Sequence, residues 1–360
     1  MKKILVLLIT IAMTITLSGA AAASEQVTLT YQQAIDMALA NSKTLKNVAA
    51  DVDRSFEIRQ DAGKEVKITP LEPGDPGVVG TYLGSIKADL AWQMSKRTLE
   101  ISRDTVAYSV KQTYNAVILA EKKKKVADLA VENAYWQNRL AELKYQNGMA
   151  SLLERMQANS GYSGAKESQD AAAKALNDAY QKFNNLVGLS PEARPKLTEQ
   201  PVLDKMKEIN LENKISQVTS DSYTVWLADQ KINLARLDLD LYSSRTSSEP
   251  YSAKAIDLKK AENTATDARS SLDKLVRTLY YTIKQLEDSY SALQAKMGVA
   301  EQGYKLAQVK YDIGMTIKAE VISSQLELEQ LKQQMLEISI NHANQMYVFE
   351  KPWVYSGASQ

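Results

Sequence analysis

The sequence predicts an almost wholly α-helical protein built from two copies of one long helical hairpin, and three observations carry that prediction. From Ser85 to Gln146 neither proline nor glycine occurs over about 62 residues, which at 1.5 Å per residue is roughly 90 Å of continuous helix. The segment Lys144-Tyr145-Gln146-Asn147-Gly148-Met149 returns as Lys310-Tyr311-Asp312-Ile313-Gly314-Met315, each with long helical sequence on both sides. Displacing the chain by 166 residues also places Tyr114 on Tyr280, Ala134 on Ala300, Ala141 on Ala307 and Glu154 on Glu320. A glycine inside a helix costs roughly 1 kcal/mol relative to alanine, whereas one just past a helix end is favourable. Two such glycines with the same neighbours therefore read as two helix-turn-helix tips built alike.

The chain has 360 residues, no cysteine, one histidine and a formal net charge of +1. That charge balance offers no electrostatic footprint for nucleic acid. Disulfides and thiolate metal sites are excluded. Residues 1–23 read as a secretory signal: Lys2 and Lys3, the apolar run Ile4 to Leu17, then the small residues Ser18 to Ala23, with cleavage after Ala23. The alternative, an uncleaved anchor, is disfavoured because the run falls short of the ~20 residues a spanning helix needs.

Residues 24–190 form the first repeat. Thr30 followed by Gln33 is a capping box, so a helix is expected from about Tyr31 to Arg59. A Pro/Gly-rich insertion follows at 64–84, in which Val66–Thr69 and Val78–Tyr82 are expected as short strands. The long helix then leads to the turn at Gly148, and a return helix is expected from about Leu152 to Leu186, loosened around Ser160–Gly164. Pro191, Pro195 and Pro201 mark a linker at 191–202.

The second repeat, 203–351, has helix from about Leu203 to Tyr242, a short insertion at 243–251, helix to Asp312, the tip at Gly314, and a last helix from about Lys318 to Lys351; 352–360 is a tail. Toward the start of each half the better displacement is 180, with Ile35 on Ile215, so the difference falls in the two insertions. In the last helix Val321, Ser324, Leu328, Leu331, Met335, Ile338, His342, Gln345 and Phe349 alternate spacings of three and four, a coiled-coil seam. His342, without a companion histidine, cysteine or nearby carboxylate cluster in the sequence, reads as a packing residue on that seam. The run Lys122–Lys125 points in several directions around a helix and reads as solvated surface.

A hairpin this long cannot bury its apolar stripes alone, so association with further copies is expected, either around a lumen or as a rod without one. No glycine-rich phosphate loop, histidine pair or cysteine nucleophile is present, and neither an enzyme, a cofactor nor a metal site is expected.

At this point the sequence resembles the TolC-type outer-membrane efflux family over nearly all of its mature length. Leu29-Thr30-Tyr31-Gln32-Gln33-Ala34-Ile35-Asp36-Met37-Ala38-Leu39-Ala40-Asn41 is similar to the family's leading pattern, and Tyr145-x-x-Gly148 and Tyr311-x-x-Gly314 to its two periplasmic tips. The resemblance implies a protomer of a trimeric α-helical barrel, the passive exit duct of a tripartite efflux pump or type I secretion system. It implies a periplasmic adaptor and an inner-membrane pump or ABC transporter as partners, no nucleic acid, and a place in the outer membrane and periplasm. Tyr145, Gly148, Met149, Tyr311, Gly314 and Met315 stand where the adaptor docks, and Glu154, Lys318 and Glu320 where the family closes its pore. Thr316 takes the place of the family's basic residue after the second turn, leaving Lys318 as the nearest cation. A spanning strand takes about 9–11 residues, so insertion 64–84 is barely long enough for one of the strand hairpins that form the family's β-barrel and is cut by three prolines, while 243–251 is far too short. The competing reading is a barrel-less helical scaffold of the cell envelope.

Overall fold

A computed structural model describes residues 28–70, 75–242 and 249–357; the expected signal segment lies outside them. The element order is β1 (Thr28–Leu29), α1 (Tyr31–Asn41), α2 (Lys43–Glu65), α3 (Pro76–Gln146), α4 (Leu152–Val187), β2 (Lys196–Leu197), α5 (Leu211–Asp221), α6 (Tyr223–Asp240), α7 (Tyr251–Asp312), α8 (Lys318–Glu350) and α9 (Trp353–Gly357). At 71 residues α3 spans about 105 Å.

The helix ends obey the displacements read from the sequence. α1 and α5 are related by 180 residues at both ends, and the turns after α3 and α7 by 166. The capping box at Thr30 and Gln33 forms as expected. The expected single helix from Tyr31 to Arg59 is instead two, because Ser42 leaves the helical region at ψ 110° and its hydroxyl accepts the amide of Leu45. Ser222 does the same between α5 and α6, accepting the amide of Val225. Residues 203–210 carry no helix, although helix is expected there.

Val78–Tyr82 is not a strand. Asp75 accepts the amide of Gly77 at 2.7 Å and Pro76 occupies the first helical turn, so these valines begin α3. Val66–Thr69 makes no strand either, and α4 runs unbroken through Ser160–Gly164. Among the described residues the sheet consists of β1 and β2 alone, paired parallel with Thr28 opposite Lys196 and Leu29 opposite Leu197. It ties the start of the first repeat to the linker.

Two related cores lie near the middle of the long helices. In the first, Val110, Tyr114, Val117 and Ile118 of α3 meet Tyr180, Phe183 and Val187 of α4 and Ala34 and Ala38 of α1. Tyr114 is about 50 Å from either end of α3. Its hydroxyl donates to the Leu29 carbonyl at 3.0 Å and accepts the Glu199 amide at 3.1 Å. The second core repeats the pattern with Val276, Leu279 and Ile283 of α7, Val348 and Phe349 of α8, and Ile215 and Val218 of α5.

From these cores one pair of hairpins, α3/α4 and α7/α8, runs to the glycine turns. The other pair, α2/α3 and α6/α7, runs the opposite way. The latter are held by Arg59 with Asp89, Ser55 with Ser95 at 2.7 Å, and Arg269 with Asp229 at 2.5 Å.

α8 also packs against α3, joining the repeats. Here the lysine run departs from the solvated reading. Lys122 Nζ lies 2.5 Å from Glu329 Oε2, with both side chains mostly covered, and Lys123 Nζ lies 3.1 Å from Glu337 Oε1. Burial raises the Glu329 carboxyl, but bonds from Lys122 and Lys332 outweigh it and hold it below the usual carboxylate range. Nearer the tail, Asp104 accepts from Lys351 at 2.6 Å and from the Trp353 indole at 2.8 Å.

His342 is buried, as the seam predicts, but it has a carboxylate neighbour that spacing does not reveal. Its Nε2 lies 3.5 Å from Oε1 of the buried Glu287, an electrostatic contact longer than a good hydrogen bond. Burial pushes Glu287 up, yet the Met206 amide at 2.6 Å and Lys284 at 3.0 Å pull its carboxyl below the usual range. Residues Ala319, Ile322, Ile340 and Val348 are buried off the expected seam, because α8 packs on α7 and α3 at once.

Phe183→Ala and Phe349→Ala should each lower stability by about 3–5 kcal/mol in urea unfolding, since each empties an enclosed core position. Gly188, at φ +81°, would place a Cβ 2.8 Å from Asn41 Cγ, whereas Gly148 opens onto free space. Gly188→Ala should therefore cost more than the roughly 1–2 kcal/mol of left-handed backbone expected for Gly148→Ala.

Candidate functional site: the two hairpin tips

The tips have the same backbone. At the first, Asn147 closes α3 at φ −91°, ψ 10° and Gly148 is left-handed at φ +69°. The Met149 amide then donates to the Lys144 carbonyl at 2.7 Å and the Gly148 amide to Tyr145 at 3.0 Å. At the second, Ile313 sits at φ −94°, ψ 8° and Gly314 at φ +72°, with Met315 donating to Lys310 at 2.7 Å and Gly314 to Tyr311 at 3.0 Å. Both are Schellman motifs. A Cβ at either glycine would meet nothing within 4 Å, so conformation rather than crowding selects glycine.

What the turns display is apolar. Met149 and Met315 are 77% and 73% exposed, and Leu152, Leu153, Met156, Tyr311, Ile313 and Ile317 are exposed beside them. Large apolar side chains are thus concentrated on the exposed end of each hairpin.

The side chains distinguish the tips. Ser151 caps α4 in a reciprocal box: it accepts the Glu154 amide at 3.2 Å while the Glu154 carboxylate accepts the Ser151 amide at 2.6 Å. The Ser151 backbone and hydroxyl hold the Glu154 carboxyl below the usual carboxylate range. Ile317 stands at the matching position of the second tip and offers no side-chain cap. Glu320 there accepts from Thr316 Oγ1 at 2.5 Å.

The first tip is further clasped by Arg155, whose guanidinium lies 4.6 Å over the Tyr145 ring and 3.8 Å from Glu142. Val321 takes the matching place at the second tip. Lys318 does not turn to Glu320. Its ammonium lies 4.9 Å over Trp136 and 3.9 Å from Glu132, both on α3.

The sequence-predicted residues thus fall at the ends of two hairpins, with Glu154 and Glu320 each engaged inside its own turn. Sequence reasoning missed Arg155, Glu132 and Trp136. Tyr145 and Arg155 are ten residues apart across a turn, a spacing that identifies the contact only once the hairpin is known. Among the described residues no group of three or more His, Cys, Asp or Glu is placed to hold a metal ion, and no helix is long and apolar enough to cross a membrane.

No protein-family model matches the sequence, and no curated protein does. Solved structures do. The transmembrane channel protein CusC, described in work on conformational changes accompanying its folding and channel formation, superposes at a TM-score of 0.65 with 13% identity over 91% of this chain and 92% of that one. A membrane protein from Pseudomonas aeruginosa gives 0.62 at 13% identity, over 95% and 99%. The outer membrane protein VceC of Vibrio cholerae gives 0.58 at 14% identity, over 90% and 95%. The chain has the fold of TolC-type outer-membrane channel protomers, the one its motifs resemble.

Glu154 carries its charge more readily in the folded tip than in the open chain, so its stabilisation is present above the unfolded carboxylate value near 4.3 and is lost as pH falls through the lower folded one. The protection of the Ser151 amide, its exchange rate taken relative to the intrinsic rate at each pH, should fall over that acidic window. In Glu154→Gln, whose amide oxygen keeps the acceptor without the charge, the pH dependence should disappear. The first turn of α8, which lacks the box, should exchange faster than that of α4 at neutral pH.

Proposed function

We propose that this protein is the conduit component of a cell-envelope export system, a passive homotrimeric helical tube. In this reading a periplasmic adaptor docks on its tips, and an inner-membrane pump or ABC transporter energises it. The observation that carries the proposal is the duplicated hairpin with two matched, apolar Schellman tips on a channel fold.

Surface area supports the assembly. The chain exposes 23017 Å², where a compact 40 kDa protein would expose roughly 14,000 Å². The 40 residues outside the described ones, even if fully exposed, would account for about 6,000 Å² of that excess. A monomer therefore leaves thousands of Å² of helix face for other copies. Tyr145, Gly148 and Met149 with Tyr311, Gly314 and Met315 supply the docking turns, and Glu154, Lys318 and Glu320 lie where the tube would narrow.

One observation favours a second reading for the opposite end. Glu65 is followed by α3 at Pro76, and Asp240 by α7 at Tyr251, so each connection has only about ten residues against the roughly 20 plus turn of a spanning hairpin. A barrel-less helical scaffold of the envelope fits that end. Detergent-free fractionation separates the two readings: full recovery of the exported protein in the soluble fraction supports the scaffold, and a requirement for detergent supports the membrane-held duct.

Electron microscopy of the purified mature protein should show a hollow three-fold tube, and a field of lumenless monomeric rods would overturn the conduit. Gly148→Pro or Gly314→Pro cannot take the left-handed φ and removes the amide bonded to Tyr145 or Tyr311. Each should abolish crosslinking to a candidate adaptor while leaving helicity by circular dichroism nearly unchanged. Undiminished crosslinking in both would remove the docking role.

A further inference from the structure

We infer that a cavity beside the second core binds a small organic cation with an apolar body. The cavity measures about 420 Å³ and opens where the break at Ser222, between α5 and α6, faces α7 and α9. Ligand pockets for small organic molecules begin at about that size. Its floor is apolar. Val218 belongs to the second core, and Leu272, Leu275 and Trp353 pack against that core while lining the cavity. All of these residues lie within one protomer, so the site depends neither on the assembly nor on the docking role proposed above.

Of the residues lining the cavity, Asp267 alone carries a charge. It is exposed, and it makes no hydrogen bond or ion pair with another described residue. Arg269, two residues along α7, is taken by Asp229, and Lys274, two turns along, does not line the cavity. A single carboxylate over an apolar floor is a poor ligand set for a metal ion, which takes six or more oxygen donors when hard. The same arrangement suits an ammonium group carried on an apolar body, because the body removes apolar surface from water while the charge stays at the rim. Trp353 and Tyr355 add ring surface, to which a substituted ammonium is attracted. The Trp353 indole is held in place by its bond to Asp104 at 2.8 Å.

Duplication makes the site specific to the second repeat. The 166-residue displacement puts Ile101 on Asp267 and Val187 on Trp353, so the first repeat has neither the charge nor the indole. Its helix break is also closed. Asn41 Nδ2 donates to the carbonyls of Asn185 and Leu186 at 3.4 Å, and only a glycine at position 188 lets the backbone lie so near Asn41. Asp221 and Val354 take the places of Asn41 and Gly188 in the second repeat, the one exposed and the other buried in the second core.

Calorimetric titration of the full mature protein tests the inference, with 1-naphthylmethyl-trimethylammonium as the cation, 1-naphthylmethanol as its neutral counterpart and 1-naphthylmethanesulfonate as the anion. The cation should bind saturably and at least about tenfold more tightly than the sulfonate. Asp267→Asn should weaken the cation about fivefold and leave the alcohol unchanged. Ser271→Arg, one turn along the same lining face, supplies the chain's own cation to Asp267 and should weaken the probe at least as much. Both positions are exposed, so neither change disturbs the core, and circular dichroism should match the parent protein. Failure of the cation to bind, equal binding of the sulfonate, or unaltered binding by both variants would each overturn the inference.

Discussion

The rest of the structure depends on one constraint: helices about 100 Å long must find partners along their whole length, and α3 is the helix that supplies most of them. It packs with α2 toward one end, with α4 and α8 toward the other, and with α1 and α9 near the middle. The densest burial, around Val110, Tyr114 and Val117, lies midway, where the strand pair and the linker cross it. Away from that belt the hairpins rely on narrow apolar stripes and on ion pairs such as Arg59 with Asp89. Exposed ion pairs contribute little each, so the belt anchors the protomer and the extremities depend on what they meet.

Duplication has left two hairpins with one backbone and different chemistry. Gly148 and Gly314 adopt the same turn with the same two hydrogen bonds, because a left-handed residue after a helix end fixes the geometry. The side chains around them have diverged. The first tip carries a capping box and a stacked arginine, whereas the second carries isoleucine and valine at those places. The second tip therefore holds its turn with fewer side-chain bonds than the first.

At the far end the two connections between helices are equally short, although the sequence gives them different compositions. The Pro/Gly-rich stretch looks like a longer insertion, but Asp75 and Pro76 start α3 inside it, and both gaps close to about ten residues. That shortness is what separates this protomer from a channel that carries its own strand hairpins.

The duplication is legible as a recurrence at 166 residues, and local signals determined the helical class, both glycine turns and the capping box at Thr30 and Gln33. Each of those local features is fixed by a residue and its neighbours within about four positions, where a cap or a left-handed glycine acts. The errors were local too. Ser42 and Ser222 break helices that periodicity runs together, and β-branched Val78 and Val79 read as strand until the cap at Asp75 is recognised. Tertiary structure alone decided what meets across distance: Lys122 with Glu329, Glu287 beside His342, Asp104 with Trp353, and Lys318 on Trp136 rather than on Glu320. Those partners lie from 55 to about 250 positions apart, and no spacing rule connects them. They exist because the long helices fix one alignment, and that alignment is set by the buried belt, which the chain reaches only when it folds.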